Sequence, residues 1–247
     1  MGYQIYHYGA VSSTNDIAKE IARKNDEKRV IVVAETQTRG RGRAKRRWTS
    51  PKGGTWISIL LRPQIKPKEV LKLTFITSSA ATKTIQQLYD LRAEAKWPND
   101  VLVRGKKICG ILAETETKGD KLLFVVIGVG INSNIDMKFL PEELRQTATS
   151  LKHELGREVE RKTLMKRFVR NFERRYKNLQ RGMWAPLLDE WKSLTSFLGK
   201  QVKVTSFDEV IIGEAWDVED DCSLIIRLEN GAIKRIINGD LALIKKA

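Results

Sequence analysis

Six basic side chains crowd one short run of this sequence, Thr38-Arg39-Gly40-Arg41-Gly42-Arg43-Ala44-Lys45-Arg46-Arg47-Trp48, with glycine at two of its positions. Guanidinium groups grip anion oxygens in pairs, and glycine lets backbone amides approach the same anion, so the run suits a phosphate or a carboxylate. On charge alone it suits nucleic acid equally well. Further along, Lys96-Trp97-Pro98-Asn99-Asp100 supplies a lysine, an amide and a carboxylate within five residues, and Gly128-Val129-Gly130-Ile131-Asn132 is glycine-punctuated. The latter faintly resembles a dinucleotide fingerprint, but Ser133 stands where its third glycine belongs and no helical pattern begins there. A Rossmann reading is therefore rejected.

The whole chain shares the sign of that run, with a formal net charge of +15 over 247 residues. Such a field attracts nucleotides, nucleic acid or acidic proteins without choosing among them. Hydrophobic residues at 41% and charged residues at 30% exclude a disordered chain. The length allows one sizeable core and a small second domain. Cys109 and Cys222 lie far apart, and with His7 and His153 they form no zinc spacing, so no metal site is expected. They read as reduced thiols. The start has no basic, apolar leader, and the most apolar stretch, 122–131, is about half of what a membrane-spanning helix needs. A cytoplasmic protein without a membrane partner is expected.

Elements must hold these residues in place. Ser13, three residues ahead of Asp16, marks a helix start, and Ile17, Ala18, Ile21 and Ala22 follow at helical spacing. Residues 30–34 and 56–61 read as strands on either side of a loop over 36–52. After Pro67, Leu71, Phe75, Ile76, Ala80, Thr84, Ile85 and Leu88 predict a long helix against the core. Strands follow over 92–97, 101–103, 108–116 and 122–131, with tight turns at Arg104-Gly105-Lys106 and Lys118-Gly119-Asp120. Leu164, Phe168, Phe172, Tyr176 and Leu179 make a second helical stripe, extended over 184–194. Short alternating runs over 201–205, 210–217, 223–228, 233–237 and 241–244 then predict a small all-β domain.

Ser13-Thr14-Asn15, Gln37 with Gly40-Arg41-Gly42-Arg43 and Trp48, Lys96-Trp97-Pro98-Asn99-Asp100, Gly110-Ile111-Leu112-Ala113-Glu114, and Gly128 to Asn132 stand in one order. In that order they resemble the motifs of biotin protein ligases of the type that lacks an N-terminal DNA-binding repressor domain. The chain departs from the family pattern at Lys45, where a glycine is usual, and at Cys222, where a glycine-like turn residue is usual. The resemblance implies an α+β fold: a mixed-sheet catalytic domain of the class II aminoacyl-tRNA synthetase and biotin synthetase type over 1–196, then an SH3-like barrel over 197–247.

It implies an ATP-dependent ligase that activates biotin as biotinyl-5'-AMP and passes it to a lysine of a biotin carboxyl carrier protein. Mg²⁺ would accompany the ATP. Lys96, Arg41 and Arg43 would be catalytic. Ser13, Thr14, Asn15, Gln37, Gly40, Arg41, Lys96, Gly110 and Ile111 would bind biotin. The four neutral residues suit its ureido ring, and Gly110 would let backbone approach it. Arg43, Arg46, Trp48, Lys96, Asn99, Asp100 and Asn132 would bind ATP, with Asn132 reading the adenine edge. A homodimer is expected at the level of the family, and no DNA binding. A lipoate or octanoyl transferase of the same fold is the enzymatic rival, although the Arg-Arg-x-Ser-Gly-Gly-Gly run expected of lipoate ligases is missing. A nucleic-acid-binding protein is the rival of another class.

Overall fold

The structure is a computed structural model that describes residues 2–206 and 209–244. Residues 1 and 245–247, where the expected domains begin and end, lie outside the described residues. The chain opens with β1 (Gln4–Val11), for which the sequence offered no apolar, β-branched run, and continues with α1 (Thr14–Lys24), β2 (Arg29–Gln37) and β3 (Thr55–Leu61). Next come α2 (Val70–Tyr89), β4 (Ala93–Lys96), β5 (Asp100–Val103), β6 (Lys106–Lys118) and β7 (Lys121–Ile131). These strands form one sheet in the order β1-β2-β3-β7-β6-β5-β4, in which only β1 and β2 run parallel. It is the mixed sheet that was expected.

The two faces of the sheet carry different loads, because alternate residues of a strand point to opposite sides. Ile57, Ile59, Ile127, Val129, Ala95 and Val101 belong to the main core. Helix α2 covers that face, joined after the short helices α3 (Glu142–Arg145) and α4 (Leu151–Leu155) by α5 (Arg161–Gln180) and α6 (Trp184–Ser193). The helices α3 and α4 fill a stretch for which the sequence predicted nothing. On the other face, α1 packs with Val30, Val32, Leu60 and Val126 over only part of the sheet. The remainder, floored by Gly110, Leu112, Gly128 and Gly130, stays open as a cavity.

Helix α2 is rich in Ser and Thr, types that compete with the helix for its own backbone. Here burial and local bonding settle the matter. Thr77 donates to the Leu73 carbonyl at 2.5 Å, Ser79 to that of Phe75 at 3.1 Å and Thr84 to that of Ala80 at 2.7 Å, so these buried hydroxyls are satisfied within the helix. Phe75 stacks on Trp191 with ring centroids 4.2 Å apart, and Trp191 Nε1 donates to Ser78 Oγ at 2.8 Å, which ties α6 to α2.

After α6 the strands β8 (Gln201–Thr205), β9 (Val210–Val218), β10 (Leu224–Arg227), β11 (Ile233–Ile236) and β12 (Asp240–Leu243) form an antiparallel sheet ordered β11-β10-β9-β8-β12. Two buried indoles bind it to the first sheet's layer: Trp97 Nε1 donates to the Cys222 carbonyl at 2.9 Å, and Trp184 Nε1 to that of Asp220 at 2.8 Å. Cys222 has φ of 71°, the turn conformation that a glycine would adopt more easily.

The basic run is more ordered than an open loop. Bridges pair Gln37 with Ser50 and Arg41 with Arg47, and a 3-10 turn spans Arg43–Lys45. Ala44 and Lys45 have φ of 50° and 58°, so the departure from glycine at position 45 falls on left-handed backbone. For a side chain with a Cβ that conformation costs about 1 kcal/mol or more. Lys45→Gly is therefore expected to raise the free energy of unfolding by about 1 kcal/mol in urea denaturation, and a destabilised variant would contradict the assignment. Trp191→Ala should lower it by about 3–5 kcal/mol in the same measurement. A loss under 1 kcal/mol would show that the indole does not join α6 to α2.

Candidate active site

A cavity of about 690 Å³ opens on the bare part of the first sheet. Of the residues singled out in the sequence, Ser13, Thr14, Asn15, Gln37, Arg41, Arg43, Arg46, Trp48, Lys96, Asn99, Asp100, Gly110, Ile111 and Asn132 all line it. Gly40 does not. A Cβ on Gly40 would stand 2.4 Å from the Trp48 carbonyl oxygen, so a glycine there lets the chain double back.

Trp48 forms the wall opposite the sheet. A Cβ on Gly110 would lie 2.9 Å from its ring and one on Gly130 would lie 2.5 Å from its Nε1, so both glycines are needed to seat the indole. Gly110 thus gives close approach to Trp48 as well as lining the cavity. Gly128 likewise admits Asn15, whose Oδ1 would be 2.6 Å from an added Cβ. The ring of Trp48 also meets that of Trp56 edge-on at 6.4 Å and carries the Lys107 ammonium 5.2 Å from its centroid. Beyond it Leu140, Leu144 and Ala148 make an apolar slot that the motifs did not announce.

One end of the cavity is neutral and polar. Gln37 Oε1 accepts from Thr14 N at 2.9 Å and Thr14 Oγ1 at 3.1 Å, while Gln37 Nε2 donates to Ser50 Oγ at 2.8 Å. Buried Ser58, between them, contacts Thr14 Oγ1 at 2.7 Å and Asn15 Oδ1 at 2.5 Å. Asn15 Nδ2 donates to Glu114 at 2.6 Å. The amides of Asn15 and Gln37 are thus engaged within the protein and shape the wall. Ser13 occupies the cap position of α1, but its side chain makes no capping bond. It lines the cavity at this end.

The other end is cationic. Six basic side chains, Arg41, Arg43, Arg46, Arg47, Lys96 and Lys107, line the cavity against the carboxylates of Glu94, Asp100 and Asp240. Lys107, which the sequence reading passed over, lies 2.6 Å from Asp100 Oδ1 in an ion pair. Burial pushes Lys96 below the usual lysine range, and Asp100 opposes that shift. Burial lowers Arg43 as well. A cation penalised by burial gains most when an anion joins it, so the charge of this end is complementary to an incoming polyanion.

Arg41 is held differently from the others. It makes two bonds to Asp16, at 2.8 and 2.6 Å, and approaches Glu114 at 3.1 Å. Its hydrogen bonds hold Asp16 below the usual carboxylate range. Burial drives Glu114 up, yet the bonds from Lys19 and Asn15 and the charge of Arg41 outweigh it and leave its pKa lowered. The charge of Arg41 is therefore largely balanced where it stands. Arg43 instead rests on neutral acceptors, Asn99 Oδ1 at 3.0 Å and the Gly239 carbonyl at 3.3 Å, together with Asn238. Arg46 pairs with Asp240 at 2.9 Å. The second sheet thus supplies partners to the basic run.

Three further expected site residues are also tied into the protein itself. Asn132 Nδ2 donates to the Thr149 carbonyl at 2.9 Å, which braces the chain after β7 with one of the amide's two N–H donors, and the residue still lines the cavity. Asn99 bonds Ile111 through its side chain and backbone, at 2.8 and 2.9 Å, which makes it a brace for Arg43 and consumes the Ile111 backbone. The Ile111 side chain belongs to the core.

The model of the Biotin/lipoate A/B protein ligase family matches residues 8–132, and that of the Biotin protein ligase C terminal domain matches 197–243. The chain is 33% identical over 244 residues to the bifunctional ligase/repressor BirA of Bacillus subtilis, covering 98% of this chain and 75% of that protein. It is 30% identical over 222 residues to the biotin--[acetyl-CoA-carboxylase] ligase of Mycobacterium tuberculosis, covering 87% and 79%. The biotin protein ligase of Aquifex aeolicus, solved in complex with biotin and ATP, superposes with a TM-score of 0.82 at 27% identity, covering 98% and 99%. The chain therefore belongs to the biotin protein ligases of the biotin/lipoate ligase family.

Proposed function

We propose that this ligase takes biotin and ATP, forms biotinyl-5'-AMP with release of pyrophosphate, and transfers the biotinyl group to a lysine of a biotin carboxyl carrier protein. The observation that carries the reading is one cavity with a neutral polar end at Ser13 and Thr14 and a cationic end at Arg43, Arg46, Lys96 and Lys107. A ureido ring suits the first, and a carboxylate meeting a polyphosphate suits the second.

In the first step a carboxylate oxygen of biotin bonds to the α-phosphorus as the bond to the bridging oxygen breaks and pyrophosphate leaves. Two anions must approach each other, and fixed cations lower that repulsion while holding the line of attack. Lys96 and Lys107 stand on the strands beneath, and Arg43 and Arg46 on the basic run above. Trp48 and the slot of Leu140, Leu144 and Ala148 offer apolar surface to the base. In the second step the carrier lysine amine bonds to the acyl carbon, the carbon–oxygen bond breaks, and AMP departs with the former carboxylate oxygen. The same cations stabilise the oxygen that becomes negative in between.

Among the described residues no group of three or more His, Cys, Asp and Glu converges as a metal cage. The residues do not fit a resident metal, and Mg²⁺ would arrive on the ATP oxygens. No helix of the described residues is long and apolar enough to cross a membrane. The match of 197–243 to the ligase C-terminal domain supports reading the second sheet as a unit of its own, one that steadies Arg43 and Arg46.

Biotin-dependent pyrophosphate release from ATP tests the reading. Lys96→Ala is expected to lower it at least about a hundredfold, the loss usual for one preorganised electrostatic contact. Release that ignores biotin, or a fully active Lys96→Ala, would contradict the reading. Because burial lowers the Lys96 pKa, its charge is lost as pH rises through a value below the usual lysine range. Release should therefore show an alkaline limb that Lys96→Arg moves upward. An unmoved limb would remove Lys96 from the reacting centre.

A further inference from the structure

Helix α5 carries eight Lys and Arg residues against a single carboxylate, Glu173. Two of the eight serve the fold: Arg161 pairs with Glu35, and fully buried Arg175 pairs with Glu190. Glu173 is itself buried beside Arg29. Of the rest, Lys162, Lys166, Arg170, Arg174 and Lys177 are exposed, and Arg181, just past the end of the helix, continues their row. Only Lys177 has a carboxylate within 4 Å among the described residues, that of Glu173 at 3.7 Å.

The geometry makes these cations a line. At 100° per residue their spacings of four, four, four, three and four keep them within roughly 120° of arc, and at 1.5 Å per residue they extend over about 28 Å. Neighbours four apart are about 6 Å from each other along the axis, close to the separation of successive phosphates on a nucleic-acid strand. Like charges at such spacing repel and weaken the helix unless something anionic lies along them. Buried aromatics, Phe168, Phe172 and Tyr176, hold this helix to the core and leave the cations outward.

Against the expectation of no DNA binding, we infer that the outer face of α5 binds double-helical DNA through its phosphates, without regard to sequence. A single strand would call for exposed aromatic rings to stack on, and the aromatics of α5 are all buried. A membrane surface would call for apolar side chains beside the cations. A folded protein partner would call for aromatic or aliphatic anchors at the centre of the patch. Among the described residues no exposed aromatic or aliphatic side chain interrupts the row of cations on α5; Met165 is half-buried at its side and exposed Met183 lies past the helix end. Since α5 covers the face of the sheet opposite the cavity, this surface is separate from the basic run and independent of the ligase reading.

The test is fluorescence anisotropy of a labelled DNA duplex of arbitrary sequence, about 20 base pairs long, titrated with the full chain at several salt concentrations. With five or so phosphates engaged, log Kobs should fall against log salt with a slope of about −4 to −5. Replacing Lys162, Lys166, Arg170 and Arg174 by Gln should make the slope less negative by about 3 to 4, while biotin-dependent pyrophosphate release is retained. Arg170→Glu alone should weaken binding at least tenfold at low salt, a single exposed change that keeps the fold. Saturating biotin and ATP should leave wild-type binding unchanged. Absence of binding, variants that bind like wild type, loss of binding on adding biotin and ATP, or tighter binding to phosphatidylserine vesicles than to the duplex would each overturn the inference.

Discussion

The cavity exists because an indole lies on bare backbone. Trp48 is separated from its own basic run by nothing, so wherever its ring is seated the guanidinium groups at 41, 43 and 46 must follow. The seat is the paired residues Gly110 and Gly130, opposite each other on β6 and β7, and any side chain there would lift the ring. Gly128, one step along the same face, admits Asn15 in the same manner. Three glycines on two adjacent strands thus fix both ends of the site, and the sheet beneath is built from apolar residues that face the other way.

The second constraint is charge. Placing this many cations around one cavity would be costly if each were left alone. The protein meets that cost differently at each position. Arg41 is nearly neutralised by Asp16 and Glu114, whose remaining bonds organise the Asn15 and Thr14 wall. Arg46 and Lys107 have one carboxylate each, Asp240 and Asp100. Arg43 and Lys96 are half-buried beside neutral groups or a distant carboxylate, and partial burial lowers the pKa of both. The least compensated cations are those that an anionic ligand would stabilise most, while Arg41 is held against Asp16 and Glu114.

Much of this was legible in the residue pattern, and the exceptions share a cause. The long helices, the β strands after Pro67 and the all-β tail follow from periodicity, which reports burial on one face. Edge strand β1 was not visible because its residues are mostly exposed and carry no alternating apolar signal. The short helices α3 and α4 depend on contacts made elsewhere, such as Ser150 Oγ bonding the Ile135 carbonyl at 2.7 Å. In the site, the basic run and Lys96 stood out as motifs, whereas Lys107 did not. Counting by twos from Gly110 points Ile108 at the cavity, but the pairing of β5 with β6 skips Ile108, which joins Cys109 in the core and turns Lys107 inward. An irregularity in register is a tertiary event and leaves no trace in a count of alternating residues. The same limit hides the protein partners of Asn132 and Asn99, which are Thr149, Ile111 and Arg43.

The central claim is that the cationic end joins a carboxylate to an α-phosphate, and the fate of the carboxylate oxygen tests it most directly. Biotin labelled with heavy oxygen in its carboxylate should, after one turnover with ATP and a carrier protein, leave one labelled oxygen in AMP and none in pyrophosphate. Label in pyrophosphate, or AMP without label, would contradict the account.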